Sequence, residues 1–146
     1  MDSPPSSAAT ELRESVMAIA RQIRRHRPDN ALTLTQMQLL GEISRAAVTT
    51  PAELGVLMQV RVQSLTDSLN ELEARKLINR RPDETDRRRQ LVELTEAGGE
   101  LLAADRAERD AWLRDTMRDT LSTLEFDLLM LVAPILRKLA DADSAR

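Results

Sequence analysis

Cysteine and tyrosine are absent from these 146 residues, histidine, tryptophan and phenylalanine occur once each, and glycine occurs four times. Without a thiol there is no disulfide framework, no Cys-ligated zinc and no thiol redox switch. One histidine (His26) among scattered carboxylates does not make a metal site, and no metal or other cofactor is expected. The glycines, Gly41, Gly55, Gly98 and Gly99, do not fall in a phosphate-cradling loop. No nucleophile has a base partner, so no enzyme activity is read. Met1–Ser7 lacks the basic and apolar regions of a signal peptide, and no run approaches the roughly 18 apolar residues of a membrane span. The expectation is a soluble cytoplasmic protein with no membrane partner.

What is present is charge, unevenly placed. The chain carries a net −3, which does not suit a uniformly basic nucleic-acid binder. Phosphate attraction is local, however, being screened within about 10 Å. Residues 75–90 hold seven basic and three acidic side chains, whereas 96–146 hold eleven acids and seven bases. Basic character is thus concentrated in one short segment. Nineteen of the 21 basic residues are arginine, whose planar fork suits phosphate and minor-groove contacts.

Periodicity lays out the elements. Residues 1–7 read as a disordered Ser/Pro tail, and 8–146 as a single domain. Leu12, Val16, Ile19 and Ile23 share one helix face that ends near Pro28. Thr35 with Gln38 is expected to cap a second helix, and Thr50-Pro51-Ala52-Glu53 starts a third, short one. A tight break at 59–61 leads to a helix over 62–75 with Leu65, Leu69 and Leu72 facing inward, which makes a helix-turn-helix. Strand-like 77–81 and 90–94 flank a polar, arginine-rich tip, a β-hairpin. Thr95 and Ser122/Glu125 then open two long helices, the second with an apolar stripe of Leu124, Leu128, Leu131, Ile135 and Leu139. The fold class is mainly α, a winged helix-turn-helix with a small hairpin wing.

Asp86-Arg87-Arg88-Arg89-Gln90-Leu91-Val92-Glu93-Leu94-Thr95 resembles the D-x-R-x-x-x-x-x-L-T signature of the MarR (multiple antibiotic resistance regulator) family of bacterial transcription factors. Thr50–Leu54, Ser64-Leu65-Thr66, Leu72–Arg75 and Leu77-Ile78 are similar to that family's helix-turn-helix, in the same order. The resemblance spans roughly residues 10–140. It implies a DNA-binding part at 33–95 and dimerisation helices at 8–27 and 96–141. It further implies a homodimer on a pseudo-palindromic operator in double-stranded DNA, most often as a repressor, and a small-molecule effector. Asp67 and Lys76 depart from the pattern: the family generally has Arg and Gly at these places.

The residue chemistry points the same way. Arg61, Gln63, Ser64, Thr66 and Asp67 lie opposite the apolar face of the recognition helix, where they can meet base edges in the major groove. Arg87, Arg88 and Arg89 form the wing tip. In isolation such a run is a solvated loop, but beside a recognition helix it can enter the minor groove. The resemblance makes Arg88 the inserting residue and Asp86 its orienting partner through an ion pair, with Arg87 and Arg89 on phosphate. Two other readings stay open: a winged-helix protein-interaction module, favoured by Asp67, and an architectural DNA binder without sequence preference or ligand response.

Overall fold

The computed structural model describes residues 5–26, 28 and 32–142. The first four residues of the expected tail therefore lie outside the described part, as do Arg27 and the last four residues. Two compact units emerge, one within Met1–His26 and Arg109–Arg146, the other within Arg27–Glu108.

The unit at 27–108 contains α2 (Leu34–Ala46), β1 (Val48–Thr49), α3 (Pro51–Leu57), α4 (Val62–Ala74), β2 (Ile78–Pro82), β3 (Gln90–Leu94) and the start of α5 (Glu96–Thr120). Its core is aliphatic: Leu39, Leu40 and Ile43 of α2, Leu54 of α3, Leu65, Leu69 and Leu72 of α4, then Ile78, Val92 and Leu102. Each fully buried side chain of this kind contributes roughly 1.5–3 kcal/mol.

The sheet order is β1-β3-β2, all antiparallel, with Thr49 and Arg80 both opposite Val92. The hairpin is as expected, but the two-residue β1 was not. It is too short to leave a period-2 pattern, and only its pairing to β3 defines it.

The α3 start is the expected reciprocal box: Glu53 N–H donates to Thr50 Oγ1 at 3.2 Å, and Glu53 Oε2 accepts Thr50 N–H at 2.9 Å. The α2 start differs from expectation. Thr33 and Gln36, not Thr35 and Gln38, form the capping box. The sequence offers T-x-x-Q twice, two residues apart, so capping chemistry alone cannot choose. Tertiary packing does: Gln36 is buried and its amide donates to Glu71 Oε2 of α4 at 2.7 Å.

Both ends of the helix-turn-helix close in Schellman geometry. After α3, Gln59 N–H donates to Val56 O and Val60 N–H to Gly55 O; after α4, Lys76 N–H donates to Glu73 O and Leu77 N–H to Leu72 O. The turning residues are Gln59 (φ 54°) and Lys76 (φ 58°), both left-handed and neither glycine. Lys76 thus takes the turn for which glycine is the unstrained choice.

The second unit holds α1 (Pro5–Arg25), the end of α5 and α6 (Thr123–Asp141). Helix α1 starts at Pro5, inside the stretch expected to be disordered. Ser122 and Glu125 form the expected box on α6. His26 closes α1, donating from Nδ1 to Gln22 O at 2.9 Å, and its ring stacks on Trp112 with centroids 4.3 Å apart. No α6 residue is buried, and Leu124 and Leu131 are 68% and 71% exposed. On α1, Leu12, Val16, Met17 and Ile19 are exposed too. Among the described residues no helix is long and apolar enough to cross a membrane.

Candidate nucleic-acid interface

Helix α4 turns Leu65, Leu69 and Leu72 into the core, so the 3.6-residue period leaves Gln63, Ser64 and Asp67 together on the outer face. All three are exposed, as are Arg61 and Thr66. Arg61 is the N-cap in extended conformation and makes no side-chain cap bond. Its carbonyl accepts the Ser64 N–H at 2.9 Å, which leaves its guanidinium at the helix entrance. Thr66 Oγ1 is turned back toward Val62 O at 3.4 Å, a weak bond within its own helix.

The wing is held close to α4 by an arginine whose tertiary role the sequence reading missed. Arg80 of β2 donates from Nε to Glu73 Oε2 at 2.8 Å and from Nη2 to Asn70 Oδ1 at 2.7 Å. A signal was available: Arg80 stands two residues from buried Ile78, and the strand alternation puts both on one face.

At the tip, Asp83 N–H donates to Arg89 O and Arg89 N–H to Asp86 O, each at 2.9 Å. Asp86 Oδ1 accepts the Arg88 backbone N–H at 3.0 Å. The carboxylate therefore shapes the turn at Arg88, but through its amide rather than through the ion pair expected with its guanidinium. Asp83 Oδ1 takes the amide and hydroxyl of Thr85 at 2.9 and 2.8 Å. Those Thr85 bonds, the amide's first, hold the Asp83 carboxyl below its usual range.

The three tip arginines are not equivalent. Arg89 Nη2 lies 3.3 Å from Glu53 Oε1, and its Nη1 lies 4.0 Å from Asp83 Oδ2. Arg89, half exposed, ties the wing to α3. Glu53 also takes the Thr49 hydroxyl at 3.0 Å. The Thr49 bond, then those from Thr50 and the charge of Arg89, hold the Glu53 carboxyl below its ordinary value despite some desolvation. One carboxylate thus caps α3, fastens β1 and anchors the wing. Arg87 and Arg88 are exposed, and among the described residues neither they nor Arg61 pair with any carboxylate. Two free guanidinium groups at the wing tip and a polar helix face thus belong to one compact unit. Such a surface is suited to phosphates and base edges.

No group of three or more His, Asp or Glu able to hold a metal ion occurs among the described residues.

The MarR family model matches residues 32–89, the core of this unit. An uncharacterized HTH-type transcriptional regulator of Mycobacterium bovis is 32% identical over 133 residues, which cover 91% of this chain and 92% of that protein. A Pseudomonas aeruginosa protein, crystallised as a candidate transcriptional regulator, superposes with TM-score 0.83 at 32% identity, covering 92% of this chain and 94% of its own. The fold also matches a mutant of Escherichia coli MarR complexed with operator DNA, with TM-score 0.62 at 23% identity over 94% and 99% of the two chains. With a third of its residues shared over nearly its whole length, this chain belongs to the MarR family of helix-turn-helix transcriptional regulators.

Proposed function

We propose that this chain is a homodimeric transcriptional repressor that binds a pseudo-palindromic operator in double-stranded DNA. Residues 33–95 are its DNA-binding part, while 8–27 and 96–141 carry the dimer contacts. The observation that carries this reading is the pairing, within one unit, of the outer face of α4 with a wing tip whose Arg87 and Arg88 have no partner among the described residues. In this reading Gln63, Ser64 and Asp67 meet base edges, Arg61 a guanine or a phosphate, and Arg88 the minor groove. Thr66 lies beside them, and Arg87 sits on phosphate.

The dimer is supported by the apolar surfaces of α1 and α6, which a monomer would leave in water. A two-fold dimer presents two recognition helices about one turn of DNA apart, about 34 Å. A small ligand that prefers the non-binding arrangement of the two winged units would relieve repression by shifting the population. The fold relative solved on operator DNA supports DNA as the partner over a protein.

Footprinting on the DNA upstream of the protein's own gene tests this reading. Two protected half-sites about ten base pairs apart, with higher transcription when the gene is deleted, support it. Uniform protection along the fragment would favour the architectural reading instead.

A further inference from the structure

Helix α4 contains no basic residue within Val62–Ala74 and three acidic ones, Asp67, Glu71 and Glu73. Two of the three are committed inside the unit: Glu71 accepts from Gln36 of α2, and Glu73 pairs with Arg80 of β2. The Asp67 side chain alone has no hydrogen bond or ion pair among the described residues. It stands exposed one turn beyond Gln63 and Ser64, on the stripe opposite Leu65 and Leu69.

A free carboxylate at this place is repelled by phosphate and is a pure acceptor. Against a base pair in the major groove it can be satisfied by an exocyclic amino group, above all N4–H of cytosine, and is opposed by the O6 and N7 of guanine or the O4 of thymine. Arg61, Arg87 and Arg88 supply the attraction to phosphate without help from this helix. We infer that Asp67 is a specificity-determining residue: it requires cytosine at one position of each half-site and weakens binding to every duplex that lacks it. Its charge separates affinity, which the wing supplies, from discrimination, which α4 supplies. The inference rests on the DNA-binding reading above.

The test is selection of bound duplexes from a randomised library by the full-length wild type and by the Asp67→Ala, Asp67→Asn and Arg88→Ala variants. Circular dichroism would confirm that each variant is folded. The wild type is expected to enrich one cytosine per half-site by at least about fivefold, the low end for a single good base contact. Asp67→Ala should lose that preference while keeping the rest of the site, and should bind unrelated DNA several-fold more tightly. Asp67→Asn should move the preference toward adenine, which an amide can grip through N6 and N7. An unchanged enriched sequence and unchanged background affinity in both Asp67 variants would overturn the inference alone. If neither wild type nor Arg88→Ala enriches any sequence, the DNA-binding reading fails and the inference falls with it.

Discussion

A Cβ placed on Gly98, near the start of α5, would stand 2.0 Å from the carbonyl oxygen of Leu77, where α4 passes into the wing. The same carbonyl accepts the Thr95 N–H at 3.1 Å. Thr95 Oγ1 donates to Lys76 O at 2.7 Å and accepts the Gly98 N–H at 3.0 Å. Helix α5 therefore begins pressed against the backbone that ends the recognition helix, a contact only glycine permits. Gly98→Ala should cost about 3 kcal/mol, since backbone rather than a flexible side chain must move. Gly99→Ala meets nothing within 4 Å and should be neutral or stabilising by up to about 1 kcal/mol. Urea midpoints of the two variants check this, and equal losses would contradict it.

Lys76 turns the chain at φ 58° with a side chain attached. A left-handed residue with a Cβ costs roughly 1 kcal/mol, partly offset by the greater unfolded-state freedom of glycine. Lys76→Gly should be at least as stable as the wild type, by up to about 1 kcal/mol, whereas the β-branched Lys76→Val should lose about 1 kcal/mol or more. Denaturant unfolding reads both. A destabilised glycine variant would show that the Lys76 side chain makes a contribution of its own.

How far these features were legible from the amino-acid sequence depends on their range. The boxes at Thr50/Glu53 and Ser122/Glu125, the hairpin and the inward leucines of α4 follow from three- and four-residue spacings, and the structure has them. The start of α2 did not follow, because the alternative T-x-x-Q frames differ only in whether Gln36 reaches Glu71, 35 residues away. The wing arginines look alike as a run. Only the fold reveals that Arg89 is bound to Glu53, 36 residues earlier, while Arg87 and Arg88 are left outward. Asp86 was expected to act on the Arg88 guanidinium, yet it acts on its amide, a bond two residues along the chain that turn chemistry commonly makes.

Glu53 makes stability depend on pH in acid. Its folded pKa lies below the ordinary 4.5, so its contribution is fully present above about that value and is lost as pH falls through the lowered folded one. Its side chain is half exposed, which keeps the ion pair with Arg89 small. The bond from the Thr49 hydroxyl is the largest cause, and the cap bonds from Thr50 follow it. Glu53→Gln should be less stable than the wild type near neutrality by about 1 kcal/mol or less, a gap that narrows below about pH 4. Thermal melts across this range check it; a gap that stays constant down to pH 3 would contradict it.

The exposed leucines of α6 predict a mass of two chains in solution. Placing carboxylates at Leu128 and Leu131, as Leu128→Asp/Leu131→Asp, buries unpaired charge in that contact and should yield the single-chain mass of 16.4 kDa by light scattering. Because no α6 residue is buried within the chain, the variant should keep its helical circular dichroism. A variant of unchanged mass would place the dimer contact elsewhere.

The proposed sequence-specific DNA binding through α4 and the wing can be read by a titration. Labelled DNA from upstream of the gene and a scrambled fragment of equal length would be titrated with wild type and Arg88→Ala at two salt concentrations. At least about a hundredfold preference for the upstream fragment is expected. Arg88→Ala should bind more weakly, with the salt slope lowered by about one. Equal binding to both fragments, or an Arg88→Ala variant that binds like the wild type, would contradict it.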